Sequence, residues 1–251
     1  MREAIKARLR RFILSTVADE MNRVGERLIH NFYSADQLFH DAASFVVYNQ
    51  IPGDYLEFGV YRGDSLCDVY HRLLHEWTTF QEHAKLFGHK CPEDYWQSKK
   101  FFAFDSFEGL PNTASQETPI HFQAGVYKMP LQSFLSNIKT KNVDPAKVIA
   151  VPGWFEEVLT PELKVKYHLS QACLIFVDCD LYESAVAIFT FITDLVQDGT
   201  VIVIDDYFRY RGSPRMGIRR AFNEWLQKNP EFKTTELTRC SANRIAFICH
   251  K

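Results

Sequence analysis

Two pairs of acids stand at the ends of apolar runs. Asp178-Cys179-Asp180 follows Cys173-Leu174-Ile175-Phe176-Val177, and Asp205-Asp206 follows Thr200-Val201-Ile202-Val203-Ile204. Short apolar, β-branched runs of this kind read as buried strands. In a parallel sheet both strand ends open on one edge, in the crevice where ligands bind. Four carboxylates gathered there repel one another and are costly without a cation to neutralise them. Oxygen donors with no adjacent His or Cys requirement favour Mg2+, Ca2+ or Mn2+ over zinc. One acid after a strand is commonplace as a helix cap or solvated residue; two pairs at consecutive strand ends point to a metal or catalytic role.

A second chemical feature lies upstream, in Asp54-Tyr55-Leu56-Glu57-Phe58-Gly59-Val60-Tyr61-Arg62-Gly63-Asp64-Ser65. A strand enters glycine, turns and starts a helix. Glycine at such a turn lets the backbone approach a ligand closely, although an ordinary tight turn has the same appearance. The full dinucleotide fingerprint is missing: Gly59 and Gly63 are present, a third glycine is not, and no acid ends a second strand about 20 residues on. That place falls to Asp105, 42 residues after Gly63, at the end of Phe101-Phe102-Ala103-Phe104. A carboxylate there can accept from two neighbouring ribose hydroxyls, or else cap a turn.

These residues need a frame, and the apolar periodicity supplies one. Amphipathic helices are expected over about 3–29 and 35–50, the second after Ser34 as N-cap. Strand Tyr55–Phe58 leads to a helix from Ser65 to about Trp77, and residues 78–100 read as a polar, irregular insertion. After the second strand, residues 106–128 form a long loop of the kind that is usually functional or mobile. Further helices fall near 130–139, 181–196 and 215–228, and further strands at Val148–Val151, Cys173–Val177 and Thr200–Ile204. The runs Lys233–Thr238 and Arg244–Cys249 close the chain as a hairpin, which requires at least one antiparallel strand. Alternation of strand and helix demands a mainly parallel sheet covered on both faces. The expected organisation is an N-terminal helical extension, 1–50, followed by one α/β domain, 51–251.

Composition narrows the function classes. Among 251 residues, 29 Lys plus Arg stand against 31 Asp plus Glu, so no basic surplus supports nucleic-acid binding. No uninterrupted apolar stretch reaches the length of a membrane span. The six cysteines form no CxxC pair, and the amino terminus lacks the pattern of a secretory signal, which together imply a reducing, cytoplasmic setting. His71 and His75 lie four apart on a helix but have no third ligand nearby. His121 shares the long loop with Phe122, Gly125 and Tyr127 and can face a substrate there. Arg209, Arg211, Arg215, Arg219 and Arg220 form a basic run that solvates a helix face or meets an anionic substrate group.

In their order, DYLEFGVYRGDS, FDSFEGLP, PGWFEEVL, VDCDLYES and VIDDY resemble the macrocin O-methyltransferase (TylF/MycF-like) family over about residues 50–228. The resemblance implies a Rossmann-like class I methyltransferase fold, a mainly parallel seven-stranded sheet with one antiparallel strand and helices on both faces. It implies S-adenosyl-L-methionine and a divalent metal such as Mg2+ as cofactors, a sugar hydroxyl as methyl acceptor, and a homo-oligomer. Carried over by position, the turn Glu57, Phe58, Gly59, Tyr61, Gly63 and Ser65 would serve the methionine end of the cofactor. Asp105 with Ser106 would bind the ribose, and Gly153-Trp154-Phe155 would border the adenine, with Asp178 also near the cofactor. Asp178, Asp205 and Asp206 match the family's metal ligands, and Asp180 matches the position of a general base. His121, Tyr127, Tyr182 and Tyr207 are the candidates for the acceptor side.

Two other readings compete. DxD after a strand also occurs in metal-dependent glycosyltransferases, where it holds a cation on a nucleotide sugar; that leaves the glycine turn and DSFEGLP without a role. A methyltransferase-like module that binds without turnover is the other, and the intact acidic set argues against it.

Overall fold

The computed structural model describes residues 35–111, 125–240 and 243–251. The helix expected over 3–29 and the candidate His121 lie outside the described residues. Successive strands are β1 (Asp54–Phe58), β2 (Phe101–Asp105), β3 (Val148–Pro152), β4 (Ala172–Val177), β5 (Val201–Ile204), β6 (Lys233–Cys240) and β7 (Arg244–His250). They form one seven-stranded sheet in the order β3-β2-β1-β4-β5-β7-β6. β1 to β5 pair in parallel, and β7 runs antiparallel to both β5 and β6. The terminal hairpin therefore inserts its second strand between β5 and β6 and supplies the antiparallel strand that the resemblance implied.

The central strands are apolar throughout because both faces are covered. Side chains alternate between the faces: Leu174, Phe176, Val201 and Val203 join one core, while Ile175, Val177, Ile202 and Ile204 join the other. Helices α1 (Ala35–Tyr48), α2 (Asp64–Phe87) and α4 (Leu131–Thr140) cover the first face. Helices α7 (Tyr182–Ile192) and α8 (Gly217–Lys228) cover the second. Leu38, Phe39, Ala42, Ala43, Val46 and Val47 of α1 are all buried, so α1 is a layer of the main core.

Residues 78–87 differ from the irregular insertion expected there: they continue α2 to Phe87. Phe80 stacks on Trp77 at 5.7 Å and meets Tyr48 edge-on at 5.6 Å, and Ala84 is buried, so one helix face stays apolar among polar neighbours. Gly88, at φ 71°, ends the helix with its N–H on the Ala84 carbonyl. A short helix α3 (Tyr95–Ser98) follows, and two others, α5 (Phe155–Val158) and α6 (Pro161–Tyr167), lie between β3 and β4. α7 ends at Ile192, earlier than the periodicity suggests. Among the described residues, no helix is long and apolar enough to cross a membrane.

Candidate active site

Parallel pairing continues just past the strand ends and lines up the residues that carry the chemistry. Gly153 N–H donates to Asp105 O at 3.0 Å, Gly59 N–H to Phe104 O at 2.9 Å, Asp178 N–H to Phe58 O at 2.9 Å and Asp205 N–H to Val177 O at 2.9 Å. Residues from five separate segments thus share the carboxyl edge of the sheet. They line one cavity of about 740 Å³, with Gly59, Asp105 and Trp154 toward one side and Asp178, Asp180, Asp205 and Asp206 toward the other.

The glycine side is built largely from backbone. Gly59 has φ 89°, and a Cβ there would lie 1.8 Å from the Asp178 carbonyl oxygen. The β1 and β4 ends pass so closely that only glycine fits. Asp105 Oδ2 accepts from Val60 N–H at 2.9 Å and Tyr61 N–H at 3.2 Å, while Oδ1 accepts from Phe107 N–H at 2.7 Å. This carboxylate therefore ties the turn after β1 to the turn after β2. An ionised carboxylate has about four acceptor positions, so one remains for a ligand hydroxyl. Tyr61 and Tyr127 meet edge-on at 5.8 Å along the cavity wall, both partly exposed.

The other side is built from charge. Asp180 and Asp206 both hold left-handed backbone, at φ 61° and 54°. Such strain in non-glycine residues clusters at functional sites, and Asp tolerates it better than most. Burial, with Asp205 and Asp180 alongside, raises the Asp178 carboxyl well above the usual range. Burial and the neighbouring Asp206 push Asp180 up to about 8. Burial and the same acids raise the Tyr127 phenol. Two arginines offset the negative charge. Arg244 donates from Nε at 2.9 Å and Nη2 at 2.7 Å to Asp205 Oδ2, and Arg209 donates from Nε at 2.7 Å to Asp206 Oδ1. Asp205 Oδ1 accepts from Asp206 N–H at 2.8 Å. Among the described residues, no three His, Cys, Asp or Glu side chains are arranged to hold a metal ion.

Of the candidates from sequence, Gly59, Tyr61, Asp105, Ser106, Tyr127, Gly153, Trp154, Phe155, Asp178, Asp180, Asp205 and Asp206 all line the cavity. Six others do not. Glu57 is fully buried below the turn, where its carboxyl accepts from Tyr55 OH at 2.6 Å and from the Ser65 hydroxyl. Phe58 stacks on Phe104 in the core. Gly63 starts α2 hard against Phe134 and Ile138 of α4. Tyr182 donates to Glu224 on α8 at 2.7 Å, and Tyr207 is buried beneath Arg219. The periodicity that finds strands and turns does not say which side of a turn a residue faces.

The main addition is Arg244. It is 39 residues from its partner Asp205 and comes from the antiparallel strand, so no local motif announces it. The basic run divides as well: Arg209 joins the acidic cluster, Arg219 donates to Gly212 O at 2.7 Å, and Arg220 donates to Glu224 at 2.8 Å.

With this arrangement established, comparison with known proteins is decisive for the family. The sequence profile of the macrocin-O-methyltransferase (TylF) family matches residues 92–230, more than half of the chain. The chain belongs to that family. It is 26% identical over 168 residues to the 8-demethyl-8-(2,3-dimethoxy-alpha-L-rhamnosyl)-tetracenomycin-C 4'-O-methyltransferase of Streptomyces olivaceus, covering 64% of this chain and 56% of that one. It is 23% identical to the demethyldecarbamoylnovobiocin O-methyltransferase of Streptomyces niveus, covering 64% and 55%. The chain thus spans little more than half the length of the curated relatives it matches. The structure of the O-methyltransferase NovP superposes with a TM-score of 0.65 at 18% identity, covering 86% of this chain and 79% of that one. The fold of this TylF-family chain is the Rossmann-like class I methyltransferase fold.

Proposed function

We propose that this protein is an S-adenosyl-L-methionine-dependent O-methyltransferase that methylates a hydroxyl of a sugar or sugar-containing small molecule, assisted by a divalent cation. The observation that carries the reading is the meeting, in one cavity, of a glycine turn tied by Asp105 and a four-carboxylate edge, in a chain of the TylF family. Methylation of a sugar part is also what the name of the Streptomyces olivaceus relative describes.

The backbone-lined side suits the cofactor. The free acceptor position of Asp105 would take a ribose hydroxyl, Trp154 and Phe155 would border the base, and Gly59 would let the methionine end lie against the chain. In donor chemistry, though not in their present arrangement, Asp178, Asp205 and Asp206 suit a hard divalent cation: their carboxylate oxygens repel one another, and a cation drawing them together would relieve that repulsion. When bound there, a cation would lower the pKa of an acceptor hydroxyl. Asp180 would act as general base and take the hydroxyl proton. When bound, the cofactor would supply a methyl group whose carbon–sulfur bond would break, its electron pair returning to sulfur, as the acceptor oxygen bonded to the methyl carbon. Because the sulfonium is already a good leaving group, the protein's main task is alignment and exclusion of water. The same reading makes the enzyme cytoplasmic and homo-oligomeric, with residues 1–50 an N-terminal extension whose helix α1 packs into the core of the 51–251 domain.

Calorimetric titration of EDTA-stripped protein with S-adenosylhomocysteine, with and without Mg2+, tests the cofactor. Micromolar binding is expected, and a screen of glycosides for methyl acceptance would follow. Absence of binding in both conditions would sink the reading.

A further inference from the structure

The two arginines at the acidic cluster are held in different ways. Arg244 is the first residue of β7, fixed by pairing with β5 through Ile245↔Ile204, and its guanidinium lies 5.8 Å from the Phe39 ring and 5.4 Å from the Phe176 ring. Its side chain is 24% exposed, and both of its bonds end on one oxygen of Asp205. Leaving that place would strand its charge in an apolar layer. Arg209 sits in the loop between β5 and α8, three residues beyond its partner, and its side chain is 40% exposed. Around it Asp206, Tyr210 and Arg211 all adopt left-handed backbone, at φ 54°, 54° and 58°. One hydrogen bond joins Arg209 to Asp206 Oδ1, and solvent is at hand to receive the guanidinium when that bond breaks. Asp206 itself is nearly buried, so its carboxylate needs a positive partner there, while the half-exposed guanidinium can be exchanged for another cation.

We propose that Arg209 is a built-in counter-ion that a divalent cation must displace from Asp206, whereas Arg244 stays on Asp205 and holds that carboxylate in place. The inference rests on the cation reading given above. Arg209 keeps the cation-free cluster from carrying an unopposed charge, and in doing so sets how tightly the cation binds. Its guanidinium competes for the oxygen; Arg244 occupies Oδ2 of the neighbouring Asp205 and serves as its clamp.

The test is a titration of the EDTA-stripped full chain with Mn2+, followed by the electron paramagnetic resonance signal of free Mn2+, without cofactor or acceptor. Wild type is compared with Arg209→Gln, Arg211→Gln and Arg244→Gln, each checked for folding by thermal melt. Arg211 is exposed in the same loop and controls for general loss of positive charge. Arg209→Gln should bind Mn2+ roughly threefold to tenfold more tightly than wild type. Arg211→Gln should change affinity by less than about twofold at physiological salt, and Arg244→Gln should not tighten it. Equal or weaker binding by Arg209→Gln, or tightening as large in Arg211→Gln or Arg244→Gln, would overturn the proposal. If no variant binds Mn2+ while S-adenosylhomocysteine still binds, the cation reading itself fails and this inference with it.

Discussion

The two sides of the cavity solve the problem of a polar site in opposite ways. On the glycine side, polar demand is met locally: three backbone N–H groups converge on the Asp105 carboxylate. On the acidic side, demand is left open. Asp178 and Asp180 sit buried with raised pKa values, and two arginines offset the cluster, Arg209 from the adjoining loop and Arg244 from the antiparallel strand β7. The first side is preorganised at rest, whereas the second carries repulsion that a ligand can relieve. A methyl donor that already bears a good leaving group needs mainly the first kind of surface. A sugar hydroxyl, a poor nucleophile, needs the second.

The largest effect should come from the seam where the sides touch. Gly59→Ala would drive a Cβ into the Asp178 carbonyl and force φ 89° on a residue that disfavours it. The expected cost is about 4 kcal/mol or more, read as loss of soluble folded protein or a steep fall in Tm, together with loss of S-adenosylhomocysteine binding. A variant that melts like wild type would mean the close approach is not required.

Asp178→Asn separates the sides instead of breaking both. It removes a charge that burial and two neighbouring acids already disfavour, so Tm should stay level or rise by a few degrees. Methyl transfer should nevertheless fall on the order of 10²- to 10³-fold, with S-adenosylhomocysteine affinity much less affected. A lowered Tm with intact turnover would reverse the assignment and make Asp178 a structural acid.

Asp105→Ala probes the opposite case. Three backbone donors lose their acceptor, at a cost of about 2 kcal/mol, because water reaches only part of the turn. Cofactor affinity should drop about tenfold or more, measured by calorimetry, while Mn2+ affinity barely moves. Parallel losses of both ligands would show that the sides are not independent.

The two sides were also unequally legible in the sequence. The strands, their mainly parallel pairing and the need for an antiparallel one follow from apolar runs and the terminal hairpin, since buried parallel strands leave a strong local signal; their order in the sheet does not. The acids of the carboxyl edge were visible for the same reason: each ends such a run. What escaped depends on tertiary placement. Arg244 reaches Asp205 only because β7 inserts next to β5, and no spacing encodes that contact. The continuation of α2 through Phe80 and Ala84 to Gly88 was legible but masked by surrounding polar residues. The helix α6 is not among those expected from sequence, although Thr160-Pro161, an N-cap and first-turn pair with Thr160 accepting from Leu163 N–H, is an ordinary signal for it. Glu57, Gly63 and Ser65 share the glycine motif with Gly59, yet lie beneath or behind it: Gly63 packs against Phe134 and Ile138, and the Ser65 hydroxyl turns back to the buried Glu57 carboxyl.

Glu57 gives the finest test of the contrast, because it is an acid on the side that otherwise carries no unmet charge. Burial raises its carboxyl to about 7, although hydrogen bonds from Ser65 and Tyr55 pull the other way. The unfolded chain would ionise it near the ordinary glutamate value of 4.5, so the folded state holds the extra proton between these limits. Its contribution to stability is therefore complete below about 4.5 and is lost as pH rises through about 7. From pH 6 to pH 7 the loss should be roughly 1 kcal/mol, a fall of about 2–4 °C in Tm. Asp178 and Asp180 titrate in the same sense, so the informative quantity is the difference between wild type and Glu57→Gln at each pH. That difference should shift steadily in favour of the variant as pH rises, because Gln keeps the site neutral throughout. A difference that stays flat from pH 5 to pH 8 would show that the Glu57 carboxyl is already ionised in the fold. The glycine side would then carry a buried charge of its own, and the contrast between the two halves of the cavity would collapse.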